Sequence, residues 1–311
     1  MIEIAIMIEG QNGLNWPRWQ GIAKAVEDLG FTALYRSDHY TNANPPDMDS
    51  LELWISLAWL ATHTKKIEFG SLVTPVSFRH PTHTARMAVA VDDLSGGRFH
   101  LGLGAGWQER EHTNYGWELL DVPERFDRFR EGLDVITLLL ESDEPVNYEG
   151  QYYRLNDAIL LPRPQRPAGP PIVIGGNGPR HTLPMAARYA SEWNGVLVPL
   201  DRYSELNSHL DELLNDFGRK PPDLRRSIMV GCIFGQDSEE VDRKVKQRSN
   251  GRLTPADYKE RGVVVGTASE IADQISAYSR AGVQRIMLQW LELDDLNGLK
   301  ALARGILHLQ N

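Results

Sequence analysis

The chain has one cysteine in 311 residues, no basic excess and no long apolar run, and each shortage removes a class of protein. Cys232 alone cannot form an internal disulfide, and its place in the run "SIMVGCIFG" reads as a small core residue in a reducing compartment. The net charge of −9 argues against a general nucleic-acid or anionic-membrane surface, because phosphate neutralisation needs lysine and arginine in excess. A bound anion would therefore need a local site. No stretch approaches the ~18 apolar residues of a membrane span, and the start "MIEIAIMIEG" has no basic n-region and carries Glu3 and Glu9. The expectation is a cytoplasmic protein with a small-molecule substrate and neither nucleic acid nor membrane as partner. Walker A, H-E-x-x-H and G-x-S-x-G patterns are missing, and His80 and His83 have no third ligand nearby, so no metal is expected.

What is present is a steady alternation of short β-branched runs with longer helical patterns, the mark of an α/β fold. Eight runs read as strands: 3–8, 31–36, 67–75, 98–104, 171–176, 193–198, 225–234 and 283–290. Between the first two, Ile22, Val26 and Leu29 follow helical spacing and Gly30 supplies the stop. Near the end, Thr267 and Glu270 make a capping-box pattern before Ile271, Ile275 and Tyr278. With 41% hydrophobic residues and eight strand–helix units, the chain is expected to be one (β/α)8 TIM barrel domain over 1–311. Only 144–171 breaks the rhythm, alternating polar and aromatic residues before a proline-rich stretch, and it reads as an inserted β-hairpin with a stiff connection.

A barrel of this kind places its chemistry at the carboxyl ends of its strands. There the sequence offers Glu9 and Gln11, then Ser37, Asp38 and His39, then Ser71 and Thr74, then Ala105, Gly106 and Trp107, and finally "GGNGPR" from Gly175 to Arg180. His39 titrates near neutral pH and can move a proton. Asp38 and His39 could equally be a cap and a loop residue, and as neighbours on a strand they point to opposite faces. Gly175, Gly176, Asn177 and Gly178, with Pro179 suited to a first helical turn, make either a phosphate cradle at a helix N-terminus or a tight turn. Gly102, Gly104 and Gly106 fail as a dinucleotide fingerprint, because Trp107 stands where the third glycine would be, and close approach to a flat ligand is the better reading. A (β/α)8 glycoside hydrolase would need facing carboxylates, which the Gly-Ala-Gly end of the fourth strand does not supply.

These residues together resemble the luciferase-like flavin oxidoreductase superfamily, and specifically its branch that uses the deazaflavin coenzyme F420. The resemblance spans nearly the whole chain and rests on "VEDLGF" leading into "SDH", on "GSLVTPVSFRHP", on "GGRFHLGLGAGW" and on "PIVIGGNGPR" followed by "AARYASEWN", in that order. It implies a bacterial luciferase-like barrel that transfers a hydride, with coenzyme F420 bound at the strand ends. By resemblance, Asp38 faces the deazaflavin ring, His39 gives or takes the proton and Glu9 faces the substrate. Ser71 and Leu72 match a non-prolyl cis peptide behind the ring, and Gly175 to Gly178 match the phosphate turn. Ser71, Leu72, Thr74, Ala105, Gly106 and Trp107 complete the expected coenzyme contacts. FMN is the alternative coenzyme, for a monooxygenase on the same fold, although the "SDH" triplet is more similar to the deazaflavin enzymes. A homodimer is also implied. One departure stands out: sugar-phosphate dehydrogenases of this branch carry a glutamate where this chain has Trp107, and an indole suits a flat or apolar substrate better than a polyol.

Overall fold

The computed structural model describes residues 1–310. In chain order its strands are β1 (Glu3–Ile8), β2 (Ala33–Arg36), β3 (Glu68–Ser71), β4 (Thr74–Pro75), β5 (Phe99–Gly104), β6 (Val146–Glu149) and β7 (Arg154–Ala158). They continue with β8 (Ile172–Gly175), β9 (Glu192–Val196), β10 (Arg225–Phe234), β11 (Val263–Gly266) and β12 (Arg285–Gln289). Parallel pairings run β1, β2, β3, β5, β8, β9, β10, β12 and back to β1, which closes an eight-stranded barrel. All eight strand regions read from the sequence are staves of this barrel. β6 and β7 form a separate antiparallel hairpin inside 144–171. β11 was not among the expected strands; it is the short run "VVVG", parallel to the last four residues of β10 where that strand outruns its barrel neighbours.

Strand alternation sorts the core into two layers. On β1, Ala5 and Met7 face the barrel interior with Ala33, Tyr35, Val173, Met229 and Met287. Ile4, Ile6 and Ile8 point outward under the helices, against Trp19, Ile22 and Val26 of the helix Trp16–Leu29. Each such side chain contributes roughly 1.5–3 kcal/mol when fully buried. That helix starts at Asn15, whose side chain accepts the Arg18 N–H, and stops at Gly30 in the left-handed region with φ 91°. The helix Ala268–Arg280 opens as its sequence suggests, the Glu270 carboxylate accepting the Thr267 N–H at 2.8 Å. Cys232 is buried and its thiol is pushed up to about 12 by that burial, so it is a core residue and no nucleophile.

One end of the barrel is plugged by charge. Arg285, 1% exposed, forms ion pairs with Glu3, Glu68 and Glu192 and donates to the Tyr35 hydroxyl. The opposite end, where the strands finish, is open.

Candidate functional site

At that open end lies a cavity of about 410 Å3. Its wall is apolar, with Met7, Leu72, Val73, Val196 and Met229, and its polar groups are Glu9, Ser37, His39, Glu111, Asn177 and Gln289. Size and lining suit a small organic ligand with a few orienting polar contacts.

His39 follows β2 and reaches the cavity together with Ser37. The Asp38 side chain, on the opposite face of the same extended segment, lies outside the lining. It is buried against Thr74, whose hydroxyl donates to Oδ2 at 2.5 Å, and against Arg79, whose Nη1 donates to the same oxygen at 2.5 Å. Thr74 is therefore engaged behind the cavity wall too. His39 Nδ1 lies 2.9 Å from Oε1 of Glu111, while Oε2 of the same carboxylate accepts the Tyr40 N–H at 3.0 Å. Because a carboxylate only accepts, Nδ1 carries the hydrogen and Nε2 is left free for a ligand. Burial pulls the imidazole pKa down, but the hydrogen bond and charge of Glu111, with weaker help from Glu9 and Asp38, raise it above its ordinary value. The Trp107 ring meets His39 edge-on with centroids 5.7 Å apart.

Glu9, at the end of β1, accepts from Gln289 Nε2 at 2.7 Å and from Gln11 Nε2 at 2.9 Å. Gln11 Oε1 in turn accepts the Ser37 hydroxyl at 2.8 Å, so the ends of β12, β1 and β2 are tied into one network beside His39. Glu111 and Gln289 were absent from the sequence reading. Gln289 could have been found by applying the strand-end rule to the eighth stave. Glu111 has no such signal, since it sits on the short helix Glu109–Tyr115 and only the fold brings it under His39.

The third stave is broken. β3 ends at Ser71 and β4 resumes at Thr74, with Leu72 and Val73 pushed inward between them, and the cis peptide joins Leu72 to Val73. The expected cis bond between Ser71 and Leu72 is thus corrected by one residue. Ser71 remains in register opposite Arg36, and the Leu72 N–H still donates to the Arg36 carbonyl at 2.8 Å, so the chain leaves the ladder only after that bond. Ser71 is fully buried and its hydroxyl bridges the N–H and C=O of Gly102, completing the ladder to β5 across the break. Close approach to this bulge also explains two glycines that the sequence suggested for a ligand. A Cβ on Gly102 would overlap the Ser71 carbonyl, and one on Gly104 would come within 2.6 Å of Val73 Cγ2. Of that trio only Gly106 lines the cavity, while Ala105 is buried beside it.

After β8, Gly175, Gly176 and Asn177 line the cavity, and Gly178 follows outside the lining. Gly176 has φ 131°, and a Cβ on Gly176 or Gly178 would press on Thr182 at 3.2 or 3.0 Å, so the turn lies flat over the start of the helix Thr182–Tyr189. Pro179 falls in the turn before that helix, not in its first turn as expected, because the chain makes one more turn before Thr182. The Asn177 amide is used by Val196, donating to its C=O at 2.7 Å and accepting its N–H at 2.8 Å, which pins the end of β9. The exposed Arg180 adds a positive charge at the end of the turn. The Gly176 N–H donates to the Asn194 carbonyl at 2.9 Å, so an anionic group here would have to use the later N–H groups of the turn, with the Arg180 charge close by in the chain.

A closed parallel barrel whose strand ends hold an apolar cavity, an imidazole backed by a buried carboxylate, and a glycine turn before a helix defines a barrel enzyme with a site for a small organic ligand. The chain belongs to the luciferase-like monooxygenase family, whose sequence profile matches residues 3–251. Among its relatives, an F420-dependent glucose-6-phosphate dehydrogenase of Kineococcus radiotolerans is 30% identical over 226 residues, covering 70% of this chain and 64% of the relative. A 4-hydroxyprotoasukamycin monooxygenase of Streptomyces nodosus subsp. asukaensis is 33% identical over 179 residues, covering 58% of this chain and 47% of the relative. The chain therefore matches less than two-thirds of the length of either relative. A solved F420-dependent secondary alcohol dehydrogenase, in complex with an F420–acetone adduct, superposes with a TM-score of 0.86 at 20% identity, over 100% of this chain and 99% of that one. At that identity the likeness is one of fold. No helix among the described residues is long and apolar enough to cross a membrane.

Proposed function

We propose that the protein is a coenzyme F420-dependent oxidoreductase that transfers a hydride between the deazaflavin and a small organic substrate. The observation that carries this reading is His39, held by Glu111 through Nδ1 with Nε2 free at the head of an apolar cavity, beside the inward bulge of Leu72 and Val73. The glycine turn and Arg180 fit a phosphate-bearing tail, and the bulge fits the back of a planar ring. When bound, the coenzyme supplies a carbon that gives or accepts a hydride with its two electrons. The protein's own residues handle everything else. Nε2 of His39 takes the hydroxyl proton of an alcohol during oxidation and returns it to a carbonyl oxygen in the reverse direction. Glu111 fixes the imidazole's orientation and favours its protonated form, which stabilises the charge that develops as the proton arrives. Met7, Val196 and Met229 exclude water from the reacting face. Kinship to a monooxygenase keeps an FMN-dependent oxygenase as the second reading. Titrating the apoprotein with coenzyme F420 and with FMN, each followed by quenching of the ligand's fluorescence, separates the two. Saturable binding of F420 with weaker binding of FMN is expected; preference for FMN would transfer the assignment to the second reading.

A further inference from the structure

We infer that the chamber takes an uncharged alcohol or carbonyl compound with an apolar body, and that phosphorylated or carboxylated substrates are excluded. This rests on the hydride-transfer reading above and departs from the sugar-phosphate chemistry in the name of the Kineococcus relative.

Apart from the imidazole of His39, the charged groups of the cavity are of one sign. Its lining contains two carboxylates, Glu9 and Glu111, and neither a lysine nor an arginine. Cations near these strand ends are committed elsewhere: Arg36 to the Ser56 hydroxyl and the Leu51 carbonyl, Arg79 to Asp38, Arg110 to Asp47, and Arg125 to the carbonyls of Gly106 and Leu120. Arg180 stands exposed at the glycine turn, where it can serve a coenzyme phosphate, and does not line the cavity. An anionic substrate would lose its hydration in an apolar chamber and meet two carboxylates, with His39, already paired with Glu111, as the one group that could oppose its charge. A neutral hydroxyl or carbonyl meets what it needs, a single proton donor and acceptor in His39.

The rim points the same way. Trp107 is 61% exposed and Leu197 is 41% exposed, and both line the cavity. Large apolar side chains left in water at the mouth of a pocket mark a surface that a ligand covers. Trp107 also packs edge-on against His39, so a substrate whose oxygen reaches Nε2 has its body beside the indole. The step balances without a further reactant. In the oxidation the carbinol C–H breaks and its hydride passes to the coenzyme with both electrons, the O–H breaks and its proton passes to His39, and the C=O forms.

The test uses two ketones that differ by one carboxylate, acetophenone and 4-acetylbenzoate, with neutral 4-acetylbenzamide as the control of matching size, titrated by calorimetry against the coenzyme-loaded protein. Acetophenone should bind at least about tenfold more tightly, a difference of about 1.4 kcal/mol. Leu197→Lys should narrow that gap by strengthening the carboxylate, and Trp107→Ala should weaken acetophenone. Equal or tighter binding of 4-acetylbenzoate, or displacement of acetophenone by glucose 6-phosphate at similar concentration, overturns the inference while the coenzyme assignment stands. Failure of the coenzyme to bind defeats that assignment instead, and the same two ketones titrated against the coenzyme-free protein then decide the charge selectivity of the chamber.

Discussion

Replacing Glu111 with glutamine separates the two things its carboxylate does for His39. Both of its oxygens accept, one from Nδ1 of the imidazole at 2.9 Å and one from the Tyr40 N–H at 3.0 Å, and the residue is 1% exposed. A glutamine of the same shape has one acceptor and one NH2, so either the Tyr40 N–H faces a donor, or the NH2 faces Nδ1 and the imidazole must stay unpaired there or move its hydrogen to Nε2, which removes the acceptor that faces the ligand. An unpaired buried donor costs about 1–3 kcal/mol, which should appear as lost stability in a urea titration. The imidazole also loses its fixed orientation, and for an outer partner of a working histidine the usual consequence is a fall of about ten- to a hundredfold in turnover, equivalent to about 1.4–2.8 kcal/mol. The more specific readout is the pH profile. In the wild type, burial lowers the His39 pKa, and Glu111, helped by Glu9 and Asp38, more than reverses it. In Glu111→Gln burial remains while the main opposing influence is gone, so the pKa falls. Alcohol oxidation needs the unprotonated imidazole, so its rate rises as pH climbs through that pKa, and the rise should move to lower pH in the variant. The assay is coenzyme absorbance against pH at saturating alcohol, with coenzyme affinity measured alongside. An unmoved inflection with wild-type turnover would refute the pairing as a functional one.

His39→Asn should lower turnover by about a hundredfold or more, the scale expected for losing a general acid or base, with coenzyme affinity little changed; a matching loss of coenzyme binding with normal turnover would make it structural. Gly176→Asp places a carboxylate and a strained φ in the turn over Thr182, and coenzyme affinity should fall by at least about tenfold, or 1.4 kcal/mol, when followed by fluorescence quenching. At the plugged end of the barrel, burial raises the Glu68 carboxyl, but hydrogen bonds and charge from His100 and Arg285 bring it well below its ordinary range. The stability it contributes is therefore present above the unfolded value of about 4.3 and lost as pH falls below it toward the folded value, and urea midpoints should drop across that interval. Arg285→Met leaves Glu192 buried without its strongest partner and should cost about 3–5 kcal/mol at neutral pH; an unchanged midpoint would show that the charge plug contributes nothing.

Much of the architecture was legible in the amino-acid order. Eight staves, a hairpin in the inserted segment, the stop of the first helix at Gly30, the capped start of the late helix at Thr267 and the polar residues that crown the strands all follow from local patterns. Side-chain alternation and capping depend on residues only a few positions apart, so a linear reading captures them. The resemblance to luciferase-like enzymes rests on the same kind of short ordered signal, and the family match over residues 3–251 bears it out. The pairing inside the site was decided by tertiary structure. Glu111 is 72 positions from His39, and Gln289 is 280 from Glu9. Whether Asp38 met the ligand or Arg79, and whether Gly102 and Gly104 made room for a ring or for the Ser71 carbonyl and the Val73 side chain, depended on where the broken third stave leaves the ladder. No local property of "FGSLVTP" fixes that point to within one residue. It is set by hydrogen-bond register with Arg36 on one side and Gly102 on the other, and register exists only once the barrel has closed.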